Sequence, residues 1–141
     1  MKRYEGGCHC GAIRVSFESA QTPETLPVRA CGCSFCRAHG AVTMTDPDGL
    51  ARIDADRDAL NRYQFGLRTA DFIVCRNCGA YVGAFFDDGD AAYATLNVNT
   101  FRDRARFVQT AAHADYAAED SDARMARRRL RWTPATLVVT G

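Results

Sequence analysis

The chain has 141 residues, 47% of them hydrophobic, with 18 Lys plus Arg against 17 Asp plus Glu for a net charge of +1. That length fits one domain, residues 1–141, able to bury roughly 68–70% of the surface its unfolded chain would expose. A charge this balanced lacks the basic footprint of a nucleic-acid-binding domain, so no nucleic-acid partner is expected.

The amino-terminal stretch, MKRYEGGCHCGAIRV, holds no apolar segment, so neither a signal peptide nor a membrane span is expected. The compartment that follows is the cytoplasm, where thiols stay reduced. Ala12 to Glu18 alternates as a strand, with Ile13, Val15 and Phe17 on one face. Gln21 to Pro27 reads as a loop, and Val28 to Ala30 leads into a group of cysteines. Ala41 to Thr45 is a short strand ended by the turn Asp46-Pro47-Asp48-Gly49. Asn61 to Gly66 and Asp71 to Val74 are predicted strands. Tyr81 to Phe86 and Ala91 to Val98 form a hairpin across Asp87-Asp88-Gly89-Asp90. Arg104 to Gln109 adds a further strand, Ala117 to Leu130 is the one predicted helix, and Thr136 to Val139 closes the chain as a strand. The fold class is therefore mainly β, with one C-terminal helix.

Seven cysteines carry the functional reading: Cys8 and Cys10, then Cys31, Cys33 and Cys36, then Cys75 and Cys78. An odd number cannot pair completely as disulfides, and reduced thiols one or two residues apart have metal-ligand spacing. Gly6, Gly7 and Gly11 leave the backbone around Cys8 and Cys10 free to curl, and both thiols of an extended segment would point to one side. Cys75-Arg76-Asn77-Cys78-Gly79 has the form of a zinc knuckle, with Gly79 free to take positive φ. A zinc shared by Cys8, Cys10, Cys75 and Cys78 would be closed and structural.

The triplet Cys31, Cys33 and Cys36 suits three ligands on one metal. Three thiolates leave Zn²⁺ with a net charge of −1, a poor activator of water but a good host for another thiolate. Its fourth position is open to a substrate thiol or closed by His39; a metal-free redox pair, Cys33 and Cys36, is the third reading. Spacing also permits Cys31 and Cys33 to share a metal with Cys75 and Cys78.

The segments Gly6-Gly7-Cys8-His9-Cys10-Gly11-Ala12-Ile13-Arg14, Cys31-Gly32-Cys33-Ser34-Phe35-Cys36-Arg37 and Cys75-Arg76-Asn77-Cys78-Gly79 closely resemble the glutathione-dependent formaldehyde-activating enzyme family. The likeness runs from about residue 4 to about residue 100. It implies a β-tent zinc-binding fold, also seen in methionine-R-sulfoxide reductases and a zinc-binding Rab accessory protein. It implies two zinc ions: a structural one on Cys8, Cys10, Cys75 and Cys78, and a catalytic one on Cys31, Cys33 and Cys36. The implied reaction is that of a carbon–sulfur lyase joining glutathione, or another thiol, to formaldehyde or a small aldehyde. No acid–base pair accompanies the motifs, so no catalytic residue beyond the ligands is expected. A non-enzymatic zinc module for a small ligand or protein partner is the alternative function.

The remaining candidates read more simply. His9 would point away from the metal, Arg37 could meet a carboxylate or stand on the surface, and His113 to Tyr116 reads as a loop capping the helix. The run Arg127 to Trp132 could bind an anion or nucleic acid, but reads better as a solvated basic helix end, favourable to the dipole. Phe85, Phe86, Phe101 and Phe107 belong to the core.

Overall fold

The computed structural model describes residues 1–141. Its strands, in chain order, are Lys2–Gly7 (β1), Ile13–Ser19 (β2), Val28–Cys31 (β3), Thr43–Met44 (β4), Leu50–Asp56 (β5) and Leu60–Tyr63 (β6). Asp71–Cys75 (β7), Tyr81–Asp87 (β8), Ala92–Asn97 (β9), Ala112–Ala114 (β10) and Thr133–Thr140 (β11) follow, and the helices are Ser34–His39 (α1) and Ser121–Arg131 (α2). The protein is mainly β, as expected. No helix is long and apolar enough to cross a membrane.

The period-two pattern governs the first half of the fold. Ile13, Val15 and Phe17 of β2 are buried while Arg14 faces solvent. β2 pairs antiparallel with β1 on one side and β5 on the other. β1 is an edge strand whose only buried residue is Tyr4; Lys2, Arg3 and Glu5 face out, which discourages pairing with another chain. β5 was not anticipated because alanines carry its alternation: Ala51, Ile53 and Ala55 point inward between charged neighbours.

β11 joins this sheet to the rest. Ala135 to Thr140 run parallel to β5, whereas Thr133 and Pro134 pair antiparallel with β9. β9 also pairs with β8 and β4, and the order continues through β3 to β10, with β6 and β7 beyond β8. Ile13, Phe17, Ile53, Met44, Leu96 and Val82 fill the main core, and Phe85, Phe101 and Phe107 join it as expected.

The register of β7 on β8 slips at Val82, since Ile73 faces Gly83 but Val74 faces Tyr81. This bulge sends Val82 into the main core and leaves Tyr81 with Cys36 and Ala41 on the opposite face. Ala84 and Phe86 share that second face, where Trp132 packs on them. α2 therefore covers the outer face of the sheet.

Three expectations need correction. Arg104 to Gln109 is no strand: Arg104–Arg106 forms a single 3₁₀ turn, closed by Phe107 N on Arg104 O at 3.2 Å. The C-terminal helix begins at Ser121, not Ala117, because the Asp120 carboxylate accepts from Ala123 N at 2.8 Å and caps it there. His113 lies on β10, paired in parallel with β3, rather than in a capping loop, and β10 and α1 were not foreseen at all.

Candidate metal centres and the adjoining cavity

The first centre is assembled by two tight turns. Cys8 and Cys10 lie in the loop between β1 and β2, which is a turn rather than the extended segment the spacing suggested. Cys8 N donates to Ile13 O at 2.9 Å and Gly11 N to Cys8 O at 3.2 Å. Cys75 ends β7, and Cys78 lies in the turn to β8, closed by Gly79 N on Cys75 O at 2.8 Å with Gly79 at φ +80°. These four sulfurs lie within 4.8 Å of one another. Cys10 Sγ stands 3.7 Å from Cys8 Sγ and 3.6 Å from Cys75 Sγ. Tetrahedral zinc with Zn–S near 2.3 Å requires sulfurs about 3.7–3.8 Å apart, so this donor set fits the ion.

The electrostatics prepare the same outcome. Ile13 N donates to Cys8 Sγ at 3.2 Å. Burial pushes the Cys75 thiol up to about 11. Burial also pushes Cys78 upward, but the N–H groups of Ala80 and Cys10 and the neighbouring thiols outweigh it and bring Cys78 down to about 6. A metal held by the four sulfurs would displace the thiol protons that remain.

The second centre gathers Cys31, Cys33 and Cys36, again within 4.8 Å. Cys31 ends β3, and β10 fixes that end through Gly32 N on Ala114 O at 2.8 Å. Cys33 is the N-cap of α1, its sulfur accepting from Cys36 N at 3.4 Å. Cys36, in the first helical turn, is buried. The Cys31 and Cys36 thiols hold Cys33 far below the ordinary thiol range, and the same sharing pushes Cys36 and Cys31 up.

All seven cysteines are free thiols, and each of the two groups is brought together as the four-plus-three division supposed. No histidine belongs to either set. His39 sits exposed at the end of α1, outside the three-cysteine group, with its ring 4.5 Å from that of Phe35. His9 and Arg37 are exposed.

A cavity of about 320 Å³ opens onto the triplet. Its floor is the outer sheet face, with Phe72, Tyr81, Ala84 and Thr95, and its roof is α2 with Trp132. Burial, reinforced by the nearby thiols, raises the Tyr81 hydroxyl well above its ordinary value, so it stays protonated. The basic run read as a solvated helix end is largely part of this roof: Arg127, Arg128 and Arg131 all line the cavity, and Arg128 is only 6% exposed. A signal was present in the sequence, since Trp132 at the close of a run holding four arginines marks a helix end that packs on something.

Comparison with known proteins was consistent with this geometry. Residues 3–117 match the model of the family described as glutathione-dependent formaldehyde-activating enzyme. The fold resembles the crystal structure of a Rhodobacter sphaeroides protein solved as a structural genomics target, with a TM-score of 0.58 and 30% sequence identity. That likeness covers 78% of this chain and 99% of the other.

Proposed function

The chain belongs to the glutathione-dependent formaldehyde-activating enzyme family, and on that premise we propose that it is a zinc-dependent carbon–sulfur lyase handling thiol adducts of formaldehyde or another small aldehyde, with glutathione as the first thiol to test. The observation that carries this reading is the three-cysteine set without a fourth ligand, facing a cavity of about 320 Å³. Cys8, Cys10, Cys75 and Cys78 hold the structural zinc in this reading, and Cys31, Cys33 and Cys36 the catalytic one.

Zinc on three thiolates would ionise a thiol entering the position that Cys31, Cys33 and Cys36 leave free. The chain's own residues supply the rest. Phe72, Tyr81 and Trp132 wall the cavity and limit water around a thiolate, while the helix-capping position of Cys33 and the packing of Cys36 against Ala41 and Tyr81 fix the triplet. The reaction forms a bond from sulfur to the carbonyl carbon as the C=O π bond opens, and the carbonyl oxygen takes up the proton that the thiol gave up. No oxidant or reductant is consumed. A thiol of pKa near 8.5 is a few per cent ionised at pH 7, so ionisation alone gains at most roughly 30-fold. Any larger factor must come from orientation of the aldehyde within the cavity.

Exchange NMR of formaldehyde and glutathione with their adduct tests the proposal. The zinc-loaded protein is expected to accelerate exchange by tens of fold over buffer, and Cys36→Ser to remove the effect. Equal rates with wild type, variant and buffer would leave a binding module as the better reading.

A further inference from the structure

α2 lies wholly beyond the residues that match the family, yet it roofs the cavity at the three-cysteine centre. Of the side chains lining the cavity, four are arginines, Arg29, Arg127, Arg128 and Arg131, and none is Asp or Glu. Of these, Arg131 is exposed, Arg127 is already paired with a carboxylate and Arg29 has a hydroxyl partner at a less buried position. Arg29 Nη1 donates to Thr45 Oγ1 at 2.9 Å. Arg127 grips Glu119 through Nε at 2.8 Å and Nη2 at 3.1 Å, and its guanidinium lies 3.5 Å over the Tyr116 ring.

Arg128 differs from all three. It is the one residue of α2 that is buried, at 6% exposure, and it lines this cavity and a second, smaller one that also reaches Cys31 and Cys33. Its Nη1 donates to Thr69 Oγ1 at 2.6 Å, but Nε is buried with no partner. Its guanidinium carbon stands 4.7 Å from the centre of the Trp132 ring, which holds the plane without neutralising the charge. Burial and the repulsion of Arg127 and Arg124 bring Arg128 down to about 10, so it remains a cation at neutral pH. A buried guanidinium with an unmet donor is costly unless an anion completes it. Arginine's planar fork matches a carboxylate in a two-point contact.

We infer that Arg128 is the specificity-determining residue for a substrate carboxylate: the cavity takes a thiol, or thiol adduct, whose sulfur reaches the Cys31, Cys33 and Cys36 centre while its carboxylate seats on the Arg128 guanidinium. This rests on the proposed thiol chemistry at that centre. The aromatic walls accept the carbon chain between the two ends, and no Asp or Glu lines the cavity to compete for the guanidinium.

Calorimetric titration of the full-length, zinc-loaded protein tests it with mercaptopropionate, its methyl ester and propionate. Mercaptopropionate is expected to bind at least about tenfold more tightly than the ester, since a charge-assisted two-point contact is lost when the carboxylate is esterified. That preference should disappear in Arg128→Met, which keeps the length of the stem, and be reduced in Arg128→Lys. The comparison of acid and ester on wild type needs no variant, so a misfolded Arg128→Met does not blunt it. Equal binding of acid and ester to wild type, with thiol binding intact, would overturn the role of Arg128 and leave the thiol chemistry standing. Propionate binding as tightly as mercaptopropionate, and lost in Arg128→Met, would uphold the Arg128 subsite and remove the thiol reading beneath it.

Discussion

Replacing Cys78 by serine should unfold the protein or bring it close to unfolding. The four-sulfur set ties the β1–β2 loop to the β7–β8 turn, and Cys10 and Cys75, in contact at 3.6 Å, are 65 positions apart in sequence. Structural zinc supplies roughly 10–16 kcal/mol of apparent binding energy, which shared among four sulfurs is about 2.5–4 kcal/mol per ligand. A domain's whole net stability is about 5–15 kcal/mol. At about 3–5 °C per kcal/mol for a chain of this size, losing one ligand lowers the melting temperature by roughly 8–20 °C. Circular dichroism of the variant beside wild type, with zinc content measured on the same samples, reads this directly. A soluble Cys78→Ser protein melting within about 3 °C of wild type would refute the assignment of the staple to this site.

Cys36→Ser should behave differently, because the triplet closes a short local segment rather than joining distant ones: a folded protein with about one zinc instead of two, counted by native mass spectrometry. Loss of both metals together would break the division into two independent centres. The anchoring of α2 should show a pH signature through Glu119, whose carboxyl is held below the ordinary carboxylate range chiefly by the Arg127 hydrogen bond, which with the charge of Arg127 and the contact with Arg124 outweighs the opposing effect of burial. A depressed folded value means that the stabilisation is full above the unfolded value of about 4.3 and is lost as pH falls through the folded one. Glu119→Gln should therefore melt below wild type at pH 7, and the gap should close as pH falls below about 4; a gap constant with pH would contradict the ion pair.

The metal centres were legible in the sequence because thiol spacing is local information. Cys75 to Gly79 fixed its own turn, and the positive φ of Gly79 follows from the sequence alone. Which cysteines share a metal was not local, and spacing left Cys31 and Cys33 free to join Cys75 and Cys78. Family resemblance chose the grouping that the fold then brought together. β2 and β8 were visible through their apolar side chains, whereas β1 and β5 hid because Tyr4 alone and two alanines carry their buried faces. α1 was invisible for another reason: six residues are too few to show a periodic stripe, and its N-cap is a cysteine rather than Ser, Thr, Asp or Asn. Arg128 was misread as solvated because a single buried cation within a charged run leaves no trace in helical periodicity; its burial arises from Trp132, Phe86 and the sheet face beneath it.

The most direct measurement is calorimetric titration of glutathione into the zinc-loaded protein, in two buffers of different ionisation enthalpy. A thiol that ionises on entering the Cys31, Cys33 and Cys36 centre should release close to one proton per molecule bound at pH 7, and bind more tightly as pH rises toward 8. Binding should vanish in Cys36→Ser and survive in His39→Ala, since the His39 ring packs at a tilt against Phe35 outside the ligand set. Glutathione that fails to bind at millimolar concentration, or that binds without releasing a proton, would contradict the thiol chemistry assigned to this site.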